Sequence, residues 1–316
     1  MLPHPYNCKA YAILANRDER FGLYAPKPDL SVLRKGDVVI SSGVKSGTTF
    51  TRALVQQVIA KGVDDFTDLT DEVPFLQFYH HPYETDAAKL RHYEALTWSR
   101  RPVRAVATHD RTLPLDPDLK YIVTFRSPHE VHDSYRAFFN SMHDDMRALW
   151  SGCVPSRVSE DAFEYMWSAY LAQHIVANHV NAWWPHRHAP NVLFLHYADM
   201  NKDLTATARR VAAFMGVALA PDELAAVVEH TSFAFMKAHA SRYDGSPQGW
   251  PRPFIERGWI KPGFQAYESE ALTRSGKTGQ HDTSERMAKY AAALDKQIPD
   301  EQARTWVLHG GPLPAS

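Results

Sequence analysis

The sequence predicts an α/β fold: one domain with a central, mostly parallel sheet flanked by helices. Short strand-like runs at residues 38–40, 103–108, 121–125 and 191–196 alternate with segments whose apolar residues recur at helical spacing. The β-branched run Val38-Val39-Ile40 is continuous, as in a strand of a parallel sheet buried on both faces. The chain has 316 residues, 44% of them hydrophobic, which suffices for one substantial core, and no linker, repeat or low-complexity block divides it.

Composition narrows the partners. A net charge of −1 with 17 neutral histidines gives no bulk basicity for nucleic acid or an anionic membrane surface, so any anion site must be local. Two distant cysteines, Cys8 and Cys153, fit neither a disulfide framework nor a cysteine-rich zinc site and read as reduced thiols. Residues 1–20 lack a basic region followed by an apolar core, and no stretch approaches the ~18 apolar residues of a membrane span. The expectation is a soluble, cytoplasmic protein.

Taken in order, residues 36–62 read as strand, anion-binding loop and helix. Phe50, Leu54 and Val58 recur at helical spacing behind the turn Gly43-Val44-Lys45-Ser46-Gly47-Thr48-Thr49. Two glycines allow successive N–H groups to converge, Lys45 adds a cation, and the helix N-terminus favours negative charge, so a phosphate suits the loop. The plainer alternative is a turn capped by Thr48 or Thr49 with Lys45 in solvent. Lysine and serine precede the second glycine, which argues against a standard ATP or GTP loop. Residues 63–101 are rich in aromatics, including Phe75 and Phe78, and could line an acceptor pocket; adjacent His80 and His81 lack a third ligand at zinc spacing. The second strand delivers His109 at its carboxyl end, where open α/β sheets bind ligands. The third ends in Arg126-Ser127-Pro128, and Pro128 opens a helix carrying Ser134. A long helix is expected over 161–184 and a strand over 191–196, with Tyr197 directly after it. Helices over 203–214, stopped by Gly216, and 221–230 follow, then a terminal helix over 284–296. Between them, residues 237–280 lose periodicity and read as a long mobile loop.

Residues 43–50 resemble the proline-lysine-serine-glycine-threonine-threonine-tryptophan loop of sulfotransferases that use 3′-phosphoadenosine 5′-phosphosulfate (PAPS), with Val44 for the proline and Phe50 for the tryptophan. Residues 121–135 resemble that family's second signature, whose arginine and serine hold the nucleotide 3′-phosphate; Arg126 and Ser134 fall on those positions. Thr108-His109 is similar to the strand end that bears the family's catalytic base, with Ala107 in place of a lysine. Residues 71–76 are similar to an acceptor-pocket stretch. Tyr197 and the segment with Thr231 and Phe233 match residues beside the adenine. Arg274-Ser275-Gly276 resembles the signature that completes the 3′-phosphate site, with Ser275 replacing a lysine. The likeness spans roughly residues 36–285 in the family's order. No counterpart of the animal enzymes' C-terminal dimer motif is found, so no oligomeric state is inferred.

The resemblance implies the P-loop-like sulfotransferase fold over a single domain, 1–316, and transfer of the PAPS sulfuryl group to a hydroxyl or amine of a small acceptor: an alcohol, phenol, sugar or lipid hydroxyl. His109 would be the base, and Lys45 would stabilise the leaving phosphate. Lys45, Ser46, Gly47, Thr48, Thr49 and Phe50 would hold the 5′-phosphate side, and Arg126, Ser134 and the 274–276 turn the 3′-phosphate. Tyr197, Thr231 and Phe233 would serve the adenine, and Phe75, Phe78 and His109 the acceptor, with no metal. The rivals are a small-molecule kinase with an atypical phosphate loop, which needs a metal-holding acid at a strand end, and a non-catalytic nucleotide-binding protein.

Overall fold

In chain order the elements are β1 (Val38–Ser42), α1 (Thr48–Ile59), α2 (Leu69–Glu72), β2 (Ala105–Thr108), β3 (Lys120–Phe125), α3 (Pro128–Ser141), α4 (Asn178–Trp183), β4 (Val192–His196), α5 (Tyr197–Lys202), α6 (Leu204–Met215), α7 (Pro221–His230), α8 (Phe233–Ala238), α9 (Ser284–Asp295) and α10 (Glu301–His309). The computed structural model describes residues 30–76, 101–110, 113–141, 143, 176–243 and 284–315. Phe78, His80, His81, Cys8, Cys153, the 161–175 part of the expected long helix, and Arg274, Ser275 and Gly276 lie outside the described residues.

The described strands form one sheet in the order β2-β1-β3-β4, with every pairing parallel. Alternate residues of each strand enter opposite layers, because side chains in a strand switch face at every step. Val39, Val106, Val123, Phe125 and Phe194 join Val180, Trp183, Leu294, Trp306 and Val307 on one side. Val38, Ile40, Ala107, Ile122 and Leu195 join Leu54, Val58, Val211, Met215 and Val227 on the other. Both faces are covered, which is why the strands are apolar without alternation. From β1 the chain crosses to β2 on one side and then returns to β3 on the other, so a crevice opens at the carboxyl ends of β1 and β3, the usual ligand site of such sheets.

Local signals set the helix boundaries. Asp203 accepts from the Ala206 N–H at the start of α6, and Gly216, at φ 77°, ends it in the left-handed region. Pro221 opens α7. The strand expected from residue 103 begins at Ala105: the Arg104 guanidinium is paired with buried Asp37 at the edge of the sheet. Of the segment expected to be irregular over 237–280, residues 237–243 are regular or packed, and the rest lies outside the described residues. Lys237 belongs to α8, whose cap Ser232 accepts from the Phe235 N–H, and the turn Ala240–Arg242 leads to Tyr243, buried edge-on to Phe66. Helix α10 is an addition to the sequence reading. Asp300 caps it, and Trp306 packs against Phe125, Trp184 and Phe194 to close one layer of the core.

Candidate active site

The four strands deliver their terminal residues to one end of the sheet: the 43–47 loop from β1, His109 from β2, Arg126 from β3 and Tyr197 from β4. The loop bends sharply, with Lys45 at φ 63° and Gly47 at φ 96°. Left-handed backbone is unfavourable for a lysine and natural for glycine. Gly47 also meets a steric demand, since a Cβ there would lie 2.9 Å from Cδ2 of Tyr197. Helix α1 starts on Gly47 with no side-chain cap, so its first-turn N–H groups face the concavity as donors for an anion. The plainer alternative, a cap by Thr48 or Thr49, is not what forms: Thr48 already lies inside the helix, its hydroxyl 2.8 Å from that of Ser42.

Arg126 spans the crevice. Its guanidinium donates to the Lys45 carbonyl at 3.3 Å and to the Glu130 carboxylate at 3.2 Å, and it lies 4.0 Å from the Tyr197 ring centroid. The ammonium of Lys45 sits 4.1 Å from the Phe138 ring centroid, and Phe50 meets Tyr197 edge-on at 6.3 Å. A stacked, forked cation beside a donor-rich helix start fits a phosphate-bearing nucleotide. Ser134 lies on α3 two turns beyond Arg126, half-buried.

His109 is fixed by the main chain of β1. Its Nδ1 lies 2.8 Å from the Ser42 carbonyl oxygen, which can only accept, so Nδ1 carries the proton and the lone pair of the neutral ring is on Nε2. The Phe75 ring packs against it, tilted by 57° at 4.7 Å between centroids. Burial, and then the Lys45 and Arg52 charges, pull the His109 pKa down from 6.5 to about 4 against the opposing bond to Ser42. At neutral pH the ring is uncharged and able to accept a proton.

The structure thus brings together Lys45, Gly47, Thr48, Phe50, Arg126 and Tyr197, and sets His109 with Phe75 beside the same loop. Ser46 is buried in the loop, its N–H donating to the Gly43 carbonyl. Thr231 is fully buried, its hydroxyl donating to the Val227 carbonyl at 2.6 Å at the end of α7, and Phe233 is exposed. Ser42, Glu130 and Phe138 are site residues the sequence reading lacked. Only Glu130 carried a signal, four residues after Arg126 at ion-pair spacing.

Residues 35–260 match the sulfotransferase domain. A glycolipid sulfotransferase of Mycobacterium bovis (strain BCG / Pasteur 1173P2) is 27% identical over 246 residues, 67% of this chain and 73% of that protein. Sulfotransferase 2A6 of Rattus norvegicus is 26% identical over 287 residues, 86% of each. The crystal structure of a mouse sulfotransferase, SULT7A1, complexed with PAP shares the fold at a TM-score of 0.60 and 18% identity, covering 92% of this chain and 95% of that one.

Proposed function

We propose, from the premise that the chain belongs to the sulfotransferase domain family, that it transfers the sulfuryl group of PAPS to a hydroxyl or amine of a small molecule with His109 as general base and without a metal. The observation that carries this is the bond from His109 Nδ1 to the Ser42 carbonyl, which leaves the lone pair of the neutral ring on Nε2 in a histidine held at the start of the anion loop. PAPS supplies a sulfuryl group on a phosphate leaving group. His109 Nε2 takes the acceptor proton as the acceptor oxygen or nitrogen bonds to sulfur and the sulfur–oxygen bond to the phosphate breaks. The first-turn N–H groups of α1 and the ammonium of Lys45 stabilise charge on the departing phosphate oxygen. Arg126 and Ser134 hold a 3′-phosphate, and Tyr197 flanks the nucleotide.

Support for the nucleotide comes from the match of Arg126 and the loop to the donor set a bisphosphate needs, and from the PAP in the mouse structure of the same fold. The acceptor is a small molecule such as an alcohol, phenol, sugar or lipid, entering beside Phe75 and His109, in a single-domain cytoplasmic enzyme. Binding tests the reading: adenosine 3′,5′-bisphosphate (PAP) should raise the melting temperature far more than ADP or AMP at equal concentration, because ligand binding to the folded state alone stabilises it. Equal shifts from all three would contradict a dedicated 3′-phosphate site.

A further inference from the structure

We propose that Arg52 is a positioning residue for this reaction: from buried helix α1 it pins the 69–76 segment so that Phe75 stays packed against His109 and the imidazole keeps its catalytic orientation. This rests on the assignment of His109 as the base. Arg52 is 8% exposed, in a helix whose residues from Thr51 to Ile59 are all buried. An apolar side chain would fill such a place without desolvating a guanidinium. The fork is used on main chain. Nε and Nη2 both donate to the Val73 carbonyl, at 2.9 and 2.6 Å, and Nη2 reaches the Leu69 carbonyl at 3.3 Å.

A second tether comes from β2. The Leu76 N–H donates to the Ala107 carbonyl at 2.9 Å and the Ala107 N–H to the Pro74 carbonyl at 2.8 Å, so Phe75 is bridged to β2 two residues before His109. Between the two tethers the Phe75 ring has little freedom. Its centroid lies 5.6 Å from the Arg52 guanidinium carbon and 4.7 Å from that of the His109 ring. The three groups lie in sequence, cation, phenyl and tilted imidazole, with the Ser42 carbonyl fixing the imidazole from the loop side.

Electrostatics act in the same direction. The charged groups that bear on His109 are Lys45 from the loop and Arg52 from α1, and both oppose its protonation, as does its burial. Asp110 follows His109 in the chain, with its main-chain carbonyl taken by the Ser41 hydroxyl. Loss of the Arg52 charge, or hydration of the gap left when the 69–76 segment loosens, would each raise the His109 pKa. A more readily protonated base is lost to catalysis at higher pH.

The test uses the full chain with Arg52→Met, Arg52→Lys and Phe75→Leu, and two readouts. One is the NMR titration of the His109 Cε1 proton, identified by its disappearance in His109→Gln. The other is steady-state turnover with donor KM. Arg52→Met should move the titration midpoint to higher pH and lower kcat by about 10–100-fold, with donor KM within about twofold, as expected for a misplaced base beside an intact nucleotide site. Arg52→Lys keeps the charge but not the fork, so its midpoint should stay near wild type while kcat falls part-way. Phe75→Leu should lower kcat and raise the midpoint without touching Arg52. An unchanged midpoint and kcat in both Arg52→Met and Phe75→Leu would overturn the proposal; if Arg52→Met does not fold, wild-type kcat in both Arg52→Lys and Phe75→Leu overturns it. Should the wild type transfer no sulfuryl group, the base assignment falls, and the His109 midpoint in the same variants still decides whether Arg52 governs this ring.

Discussion

His109→Ala is expected to lower turnover by about 10²–10⁴-fold while PAP affinity changes little, because a positioned base contributes that much to a proton transfer and nothing to nucleotide binding. The separation follows from placement. His109 directly follows β2 and is held by the Ser42 carbonyl and Phe75, whereas the contacts of Arg126 and Tyr197 lie across the crevice at β3 and β4. Ala107, fully buried in the preceding strand, offers no side chain that could take the proton instead. The loss should be smaller for a phenol of low pKa than for an aliphatic alcohol, since an acceptor already partly ionised needs the base less. Calorimetry with PAP and initial rates on both acceptor types check this. Near-wild-type rates would move the base to another residue, His80 or His81 being the next candidates.

Arg126→Ala is expected to weaken PAP binding by roughly 1.5–3 kcal/mol, about 10–150-fold, the worth of a hydrogen bond to a charged group. ADP binding should weaken less, because the guanidinium is assigned to the 3′-phosphate. The same substitution removes the partner of Glu130, whose side chain is nearly buried, and frees the Lys45 carbonyl, so the variant should also melt lower without ligand. Arg126→Lys separates the two effects: it retains a cation near Glu130 but lacks the planar fork, and should recover stability more fully than affinity. Equal weakening of PAP and ADP would place Arg126 at a phosphate common to both.

The fold was legible because its signals are local. The continuous run at 38–40 and the glycines at 43 and 47 announce a buried strand and an anion loop whatever the rest of the chain does. The same holds for α6, where Asp203 and Gly216 mark both ends. The site was legible through residue types at strand ends, not through its contacts. The bond from His109 to Ser42 joins residues 67 apart, and that from Arg126 to Lys45 residues 81 apart, and nothing in either local segment specifies them. Thr231 illustrates the limit: nothing in the sequence announces that its hydroxyl returns to the carbonyl four residues earlier. Helix α10 could have been read from Asp300 as a cap followed by Ala303, Trp306 and Val307 on one face, but its place against Phe125 and Phe194 is set by tertiary packing.

The central claim is sulfuryl transfer from PAPS without a metal, and its most direct measurement follows the sulfur. The protein is incubated with sulfur-35-labelled PAPS and a panel of phenols, aliphatic alcohols, sugars, lipids and amines in buffer containing a chelator, with ATP and Mg²⁺ in a parallel reaction. The predicted result is label on an acceptor with one PAP released per sulfuryl group moved, undiminished by the chelator, and no phosphorylated product from ATP. Unmoved label across the whole panel, or metal-dependent phosphorylation of the same acceptors by ATP, would contradict it.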